Sequence, residues 1–66
     1  MNQIKRARII QGMTQNQLAA KLGVSIVTVN KWEKGTMFPN VNRIKQVATV
    51  LNTTVEELLP KEERAI

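Results

Sequence analysis

Apolar residues recur every three or four positions through most of the chain, and this spacing places them on one face of an α-helix. Two such faces stand close together near the middle of the sequence. Leu18, Ala19 and Leu22 form the first face, and Val29 and Trp32 form the second. The pattern predicts two consecutive amphipathic helices whose apolar faces meet in one core.

The connection between these two helices is short enough to constrain how they pack. Thr14 and Ser25 precede the two apolar runs, where a hydroxyl side chain can cap a helix N-terminus. Gly23 follows the first run, where a left-handed residue ends a helix without a Cβ clash. Because only Val24 separates Gly23 from Ser25, the two helices must cross steeply and share one apolar seam.

Another helix is predicted ahead of this helix-turn-helix, over residues 2–11. Its inner face has the spacing of successive helical turns and consists of Ile4, Ala7, Arg8 and Gln11. Ile9 and Ile10 lie off that face, so at least one of them should be partly exposed. Gly12 ends the helix, and Met13 is predicted to join the core.

Two helices are predicted after it. Asn40 caps the first, which runs from about Val41 to Leu51, and Pro39 blocks helix before it. Its apolar face is Val41, Ile44, Ala48 and Leu51, with Val47 beside them. Asn52 can take the left-handed conformation that ends this helix.

The last predicted helix is short. Thr54 caps it, with Glu57 at the spacing of a capping box, and Pro60 stops it. The apolar residues that would close the core from this helix are Val55, Leu58 and Leu59. The chain carries no strand signal, so it is predicted to be one compact all-α domain of five helices over residues 1–66. The core of that domain covers about 4–59, and a short charged tail follows at 60–66.

The composition excludes several kinds of site. The chain has no cysteine, histidine or aspartate, so disulfides and Cys/His metal sites are excluded and no cofactor is predicted. The main acid–base candidates are glutamates, of which four of five lie in the last eleven residues, and this argues against an enzyme. No secretory signal or bilayer-length apolar run is present, so a cytoplasmic protein without a membrane partner is expected.

The charge is strongly asymmetric along the chain. The net charge is +5, and the estimated isoelectric point is 10.3. The first 34 residues hold six cations against Glu33 alone, whereas residues 56–66 hold two cations and four glutamates. This distribution is expected if one face meets a polyanion such as nucleic acid. The alternative is a solvated surface that happens to be basic.

A series of short motifs follows in order along most of the chain. They are Arg8 before Gly12, M-T-Q at 13–15, L-A at 18–19, K-L-G-V-S at 21–25, V-N-K-W-E-K-G at 29–35, Pro39, and L-N-T-T-V-E-E-L-L at 51–59. Together they resemble the phage Cro/repressor type of helix-turn-helix domain, the XRE-like family. The resemblance extends from about Ile4 to Leu59 and implies a lambda-repressor-like fold of bacterial or phage origin.

The resemblance also implies roles for individual residues. The helix from Ser25 would be the recognition helix in the major groove of operator DNA. The positions that usually meet base edges are Ile26, Val27, Thr28 and Lys31. Gln15 would contact a phosphate and brace the recognition helix, unless it is a plain surface residue. Arg8 and Glu33 would form an ion pair between the first and third helices, the alternative for Arg8 being a phosphate contact or a surface charge.

The outward positions of the recognition helix differ from those of many relatives. Relatives often carry polar residues there, whereas Ile26 and Val27 are apolar and can pack only against groups such as the thymine methyl. Ile26 lies about 60° round the helix from core residue Val29, so Val27 should be the more exposed of the two. Phe38, in the following loop, would either plug the core or face the DNA sugar-phosphate edge.

The remaining contacts are predicted from charge and from the resemblance. The sequence-independent attraction to DNA would come from basic side chains and one helix N-terminus: Lys5, Arg6, Lys21, Lys34, Arg43, Lys45 and Asn40. Lys31 and Lys34 would either touch only phosphates or also help to read the site, and guanine would be the natural base target of Lys31. A dimer surface is expected at the corner after the fourth helix, from Asn52, Thr54, Val55, Leu58 and Leu59.

These observations predict a sequence-specific DNA-binding transcription regulator. It would be a repressor that binds a near-palindromic operator in double-stranded DNA as a homodimer, controlled by dimer concentration or by a regulatory protein partner. The alternative is a protein-binding module on the same fold, similar to an antitoxin or an anti-repressor. Its contact surface would be the apolar residues Ile9, Ile10, Ile26, Val27 and Phe38.

Overall fold

The computed structural model describes residues 2–60, and it contains five helices over that range. They are α1 (Gln3–Ile10), α2 (Gln15–Leu22), α3 (Ile26–Lys34), α4 (Val41–Val50) and α5 (Val55–Leu58). The prediction of an all-α fold is confirmed. The predicted charged tail lies outside the described residues from position 61 onward.

Each helix begins at a polar residue that accepts a hydrogen bond from the first turn. Thr14, Ser25, Asn40 and Thr54 do this as predicted, with extended backbone and a side-chain oxygen on an amide of their own helix. Asn2 was predicted as the first helical residue but caps α1 instead. At α2 the cap is reciprocal. The backbone amide of Gln17 donates to Thr14 Oγ1, and Gln17 Oε1 accepts from the backbone amide of Thr14. This capping box was not predicted.

Left-handed residues follow α1, α2, α3 and α4, whereas α5 ends at Leu59 in extended conformation. Gly23 has φ of 70°, and the amide of Val24 bonds the carbonyl of Ala19 at 3.0 Å, which satisfies the end of α2. Asn52 has φ of 55°, and the amide of Thr53 bonds Ala48 in the same way after α4. The left-handed conformations predicted at Gly23 and Asn52 are therefore confirmed, and the first of them makes the tight turn into α3.

All five helices contribute to one core. Helix α2 packs on α3 and α4, α1 packs on α3 and α5, and α4 packs on α5. The buried apolar side chains are Ile4, Leu18, Ala19, Leu22, Val29, Trp32, Ile44, Val47, Ala48, Leu51 and Leu58. Trp32 is 3% exposed, so the indole is a core residue, and Met13 packs at the edge of the core.

The structure corrects some of the predicted inward positions: Gln11 is exposed, Leu59 is only half-buried, and Val41 departs most from the prediction. Val41 is 70% exposed, although its spacing matched the apolar face of α4. The face that is buried includes Val47, which shifts its centre so that Val41 lies about 60–70° to one side. Val41 is also the first residue of α4, where a side chain has fewer neighbours.

Candidate nucleic-acid interface

Helix α3 separates cleanly into an inner and an outer face. Val29, Trp32 and Glu33 are its buried residues, and they point toward α1 and α2. Outside that buried face, Ile26, about 60° round the helix from Val29, is 41% exposed, and Val27, nearly opposite Val29, is 57% exposed. The prediction that Val27 is the more exposed of the two is confirmed. Two apolar side chains therefore stand in solvent on the face that the core does not use.

Thr28 and Lys31 complete this outer face in different ways. Lys31 is exposed, while Thr28 is half-buried. The Thr28 hydroxyl lies 3.1 Å from the hydroxyl of Ser25, the residue that caps α3. A hydroxyl offers one donor and two acceptor sites, so this bond leaves Thr28 part of its capacity for a base edge or phosphate.

A buried carboxylate joins the inner face of α3 to two other helices. Glu33 is 8% exposed, and its Oε2 accepts from Arg8 Nε at 2.7 Å. Its Oε1 accepts from Arg8 Nη2 at 3.1 Å and from Gln15 Nε2 at 3.0 Å. Arg8 Nη1 also donates to the carbonyl of Met13 at 2.7 Å. One side chain of α3 is thus held by α1 and by the first residue of α2.

This network gives Gln15 a definite structural part. Its bond to Glu33 uses one of the two hydrogens on Nε2, and the other can still be donated to a phosphate. The forked contact of Arg8 with the carboxylate is the strong, orientation-specific kind of ion pair. Because Glu33 neighbours core residue Trp32, the network holds α3 in one rotation about its axis.

The exposed cations follow the predicted distribution. Lys5, Arg6, Lys21 and Lys34 are all exposed, so each is available to a phosphate. Lys21 and Lys45 line the same shallow groove between α2 and α4. The amide oxygen of Asn40 accepts from the Arg43 amide at 2.8 Å, which leaves the Asn40 side-chain amide group free to donate.

Arg43 has a structural role that its sequence position did not indicate. Its Nη1 donates to the carbonyl of Leu22 at 2.7 Å and to Gln46 Oε1 at 2.8 Å. The first bond places a cation on the last carbonyls of α2, immediately before the turn. The guanidinium keeps further N–H groups, so its contact with a phosphate remains a prediction alongside this bond.

The predicted dimer surface needs one correction. Leu58 is 2% exposed and lies in the core, so a second chain cannot reach it. Asn52 and Thr54 are exposed, and Val55 and Leu59 are half-buried at the corner between α4 and α5. Leu58 is buried because α5, though short, packs on both α1 and α4.

Several apolar side chains on elements other than α3 are also exposed to solvent. Ile9 and Ile10 are both exposed, as is Phe38, so the interpretation of Phe38 as a core plug is wrong. The buried residue of that loop is its neighbour Pro39. Over residues 2–60, no cluster of His, Cys, Asp or Glu could hold a metal, and no helix is long and apolar enough to cross a membrane.

Comparison with known proteins identifies relatives over the same region. A family model described as helix-turn-helix matches residues 4–58. The chain is 37% identical over 60 residues to the HTH-type transcriptional activator BcrR of Enterococcus faecalis, covering 91% of this chain and 29% of that protein. It is 35% identical to the uncharacterized HTH-type transcriptional regulator YazB of Bacillus subtilis, covering 91% of this chain and 87% of YazB.

An archaeal relative extends the match over almost the whole chain. An uncharacterized HTH-type transcriptional regulator of Methanocaldococcus jannaschii is 32% identical over 62 residues, which is 94% of each chain. The chain therefore spans less than a third of BcrR but nearly all of two smaller relatives. No solved structure gave a significant match.

Proposed function

This chain belongs to the XRE-type helix-turn-helix family of DNA-binding regulators, and on that basis we propose that it binds a near-palindromic operator as a homodimer. Helix α3 lies in the major groove, and Ile26, Val27, Thr28 and Lys31 meet the base edges. The family also confirms that the chain is not an enzyme.

The observation that carries this proposal is the division of α3 into two faces. Its inner face is buried and bonded to two helices through Glu33, so the outer face is presented rigidly. A base-reading surface must hold its side chains within fractions of an ångström of their contacts, which a loosely packed helix cannot do. The exposed lysines and Arg6 supply the attraction to phosphates.

The side chains of the outer face favour a particular kind of site. Ile26 and Val27 offer only apolar surface, so they discriminate through thymine C5-methyl groups. Lys31 prefers the O6 and N7 acceptors of guanine. Each half-site therefore combines thymine with guanine, and the two half-sites lie about 34 Å apart, one turn of B-DNA.

The proposed dimer uses the corner between α4 and α5, where Asn52, Thr54, Val55 and Leu59 reach the surface. Repression follows most simply from such a molecule, because occupancy of a promoter alone excludes the polymerase. BcrR is named an activator, so a reporter assay with the operator at several distances from a promoter is needed to decide the direction.

Selection of binding sites from random duplexes tests the proposal, and it should be run at two salt concentrations. We expect a recurring two-fold symmetric sequence and an affinity that falls steeply with salt. Recovery of no common sequence would contradict base readout by α3. Recovery of an asymmetric single site would contradict the homodimer, but it would remain compatible with α3 as the recognition helix.

A second function is supported by the apolar side chains away from α3. Ile9 and Ile10 are exposed on α1, outside the proposed recognition helix. A protein-binding module would use this surface, and its binding would vary little with ionic strength. Salt-sensitive binding to duplex DNA separates the first function from the second.

A further inference from the structure

The side chain of Asn2 joins two helix ends that are 30 positions apart in the chain. Its Oδ1 accepts from the backbone amide of Ile4 at 2.7 Å and from that of Lys5 at 3.1 Å, which caps the start of α1. Its Nδ2 donates to the carbonyl oxygen of Trp32 at 2.9 Å. Trp32 lies in the last turn of α3, where its carbonyl also accepts from the backbone amide of Gly35 at 3.2 Å, so the bond from Asn2 is a second donor at the end of the helix. One amide group therefore caps the beginning of α1 and the end of α3 together.

We propose that Asn2 is a positioning residue for α3 in DNA recognition, and that it acts through Trp32 without touching DNA. The inference rests on the function proposed above. The turn that Asn2 holds carries Lys31 and Lys34, both of which are exposed and directed away from the core. If this turn shifted, the ammonium group of Lys31 would move relative to the base edges, and discrimination between sites would fall.

A second contact between the same two helices explains why the bond from Asn2 matters. Arg8, nearly two turns further along α1, bonds Glu33 of α3. The bond from Arg8 restrains the inner face of α3 at Glu33, and the bond from Asn2 restrains the end of the helix at Trp32. Two attachments on different parts of α1 fix both the rotation of α3 and its tilt. Asn2 supplies the attachment at the helix end, and Arg8 supplies the one at the inner face.

The chemistry of Asn2 allows its two bonds to be separated. Aspartate and serine both cap helices about as well as asparagine does. Aspartate cannot donate from its carboxylate, and it would face the negative end of the α3 dipole. Serine is neutral and too short to cap α1 and reach Trp32 together. Asn2→Asp and Asn2→Ser should therefore keep the cap on α1 and lose the tie to α3, whereas Asn2→Ala loses both.

The first measurement is amide hydrogen exchange in the absence of DNA. NMR detects the exchange in the folded wild type and in each folded variant. The amides of Gly35 and Thr36 bond the carbonyls of Trp32 and Lys31 at the end of α3. We expect Asn2→Asp and Asn2→Ser to speed exchange at Gly35 and Thr36 by about tenfold, the effect of one lost hydrogen bond. Exchange at the start of α1 should rise only in Asn2→Ala.

The second measurement is the ratio of affinities for the selected operator and for a random duplex. The ratio cancels the added charge of Asn2→Asp, since both duplexes carry the same phosphates. We expect Asn2→Asp and Asn2→Ser to lower the ratio by about three- to tenfold, with most of the loss at the base pair that Lys31 reads. Thermal melts establish that each variant is folded at the assay temperature.

The outcomes distinguish failure of the positioning role of Asn2 from failure of the proposed DNA-binding function. If the wild type selects no site, the proposed function fails and the positioning role fails with it. If the variants loosen the end of α3 but leave the ratio unchanged, the positioning role is overturned while the proposed function stands. If Asn2→Asp lowers the ratio and Asn2→Ser does not, the loss comes from placing a carboxylate against the end of α3 and not from the missing bond to Trp32, and the inference is also overturned.

Discussion

Removing the guanidinium of Arg8 should destabilise the fold by about 3–5 kcal/mol, because it leaves a carboxylate buried without its cation. The side chains of Arg8 and Glu33 are 11% and 3% exposed, so water screens the pair little. In Arg8→Ala, the carboxylate keeps the bond from Gln15 but loses both bonds from Arg8. The lost bond to the Met13 carbonyl adds about 1 kcal/mol.

This loss is large beside the total stability of so small a domain. A chain of 66 residues is expected to be stable by about 3–10 kcal/mol. Each kcal/mol shifts the melting temperature by about 4–8 °C in a domain of this size, so Arg8→Ala should melt at least about 12 °C lower. The double variant Arg8→Met with Glu33→Leu removes both charges and keeps the volume. It should lie within about 2 kcal/mol of the wild type.

Thermal and urea denaturation followed by circular dichroism measure these differences. Lys5→Ala is the matched control, since it removes an exposed cation from the same helix and should change stability by less than about 0.5 kcal/mol. A cost below about 1 kcal/mol for Arg8→Ala would show that water reaches Glu33. A double variant as unstable as Arg8→Ala would show that packing, and not the unpaired charge, causes the loss.

Three further predictions concern DNA reading and the turn. Lys31→Ala should lose preference at one base position per half-site, whereas Lys21→Ala should weaken all sequences alike and lower the salt slope by about one; equal losses on every sequence for both, in fluorescence anisotropy titrations, would remove Lys31 from base readout. Val27→Ser should reduce the preference for thymine over uracil at one position by about fourfold, because that factor corresponds to the free energy of burying one methyl group. Competition binding measures this preference, and an unchanged preference would reject the methyl contact. Gly23→Ala should cost about 1–2 kcal/mol from backbone strain alone, since φ is 70° and a Cβ there meets nothing within 4 Å; urea denaturation measures it, and a neutral result would mean that the turn relaxes.

Much of the fold was predictable because its signals are local. A helix cap needs an acceptor side chain within three residues of the backbone amide that donates to it. The caps Thr14, Ser25, Asn40 and Thr54 can therefore be predicted from the sequence. The same holds for the glycine that ends α2 and for the period that buries Val29 and exposes Val27. The ion pair between Arg8 and Glu33 was expected from the family resemblance. The residue types alone also allowed Arg8 to be a phosphate contact or a surface charge.

By itself, the sequence determined the number and order of the helices, the turn between α2 and α3, and the basic character of one face. Only the tertiary structure decided which polar side chains join distant helix ends. The bonds from Asn2 to Trp32, Gln15 to Glu33 and Arg43 to Leu22 span 30, 18 and 21 positions.

Burial at the helix ends was decided in the same way, as the exposure of Val41 shows. The physical reason is that a periodic pattern defines a face but not what covers it. A polar side chain likewise reveals its partner only after the core has brought the helices together.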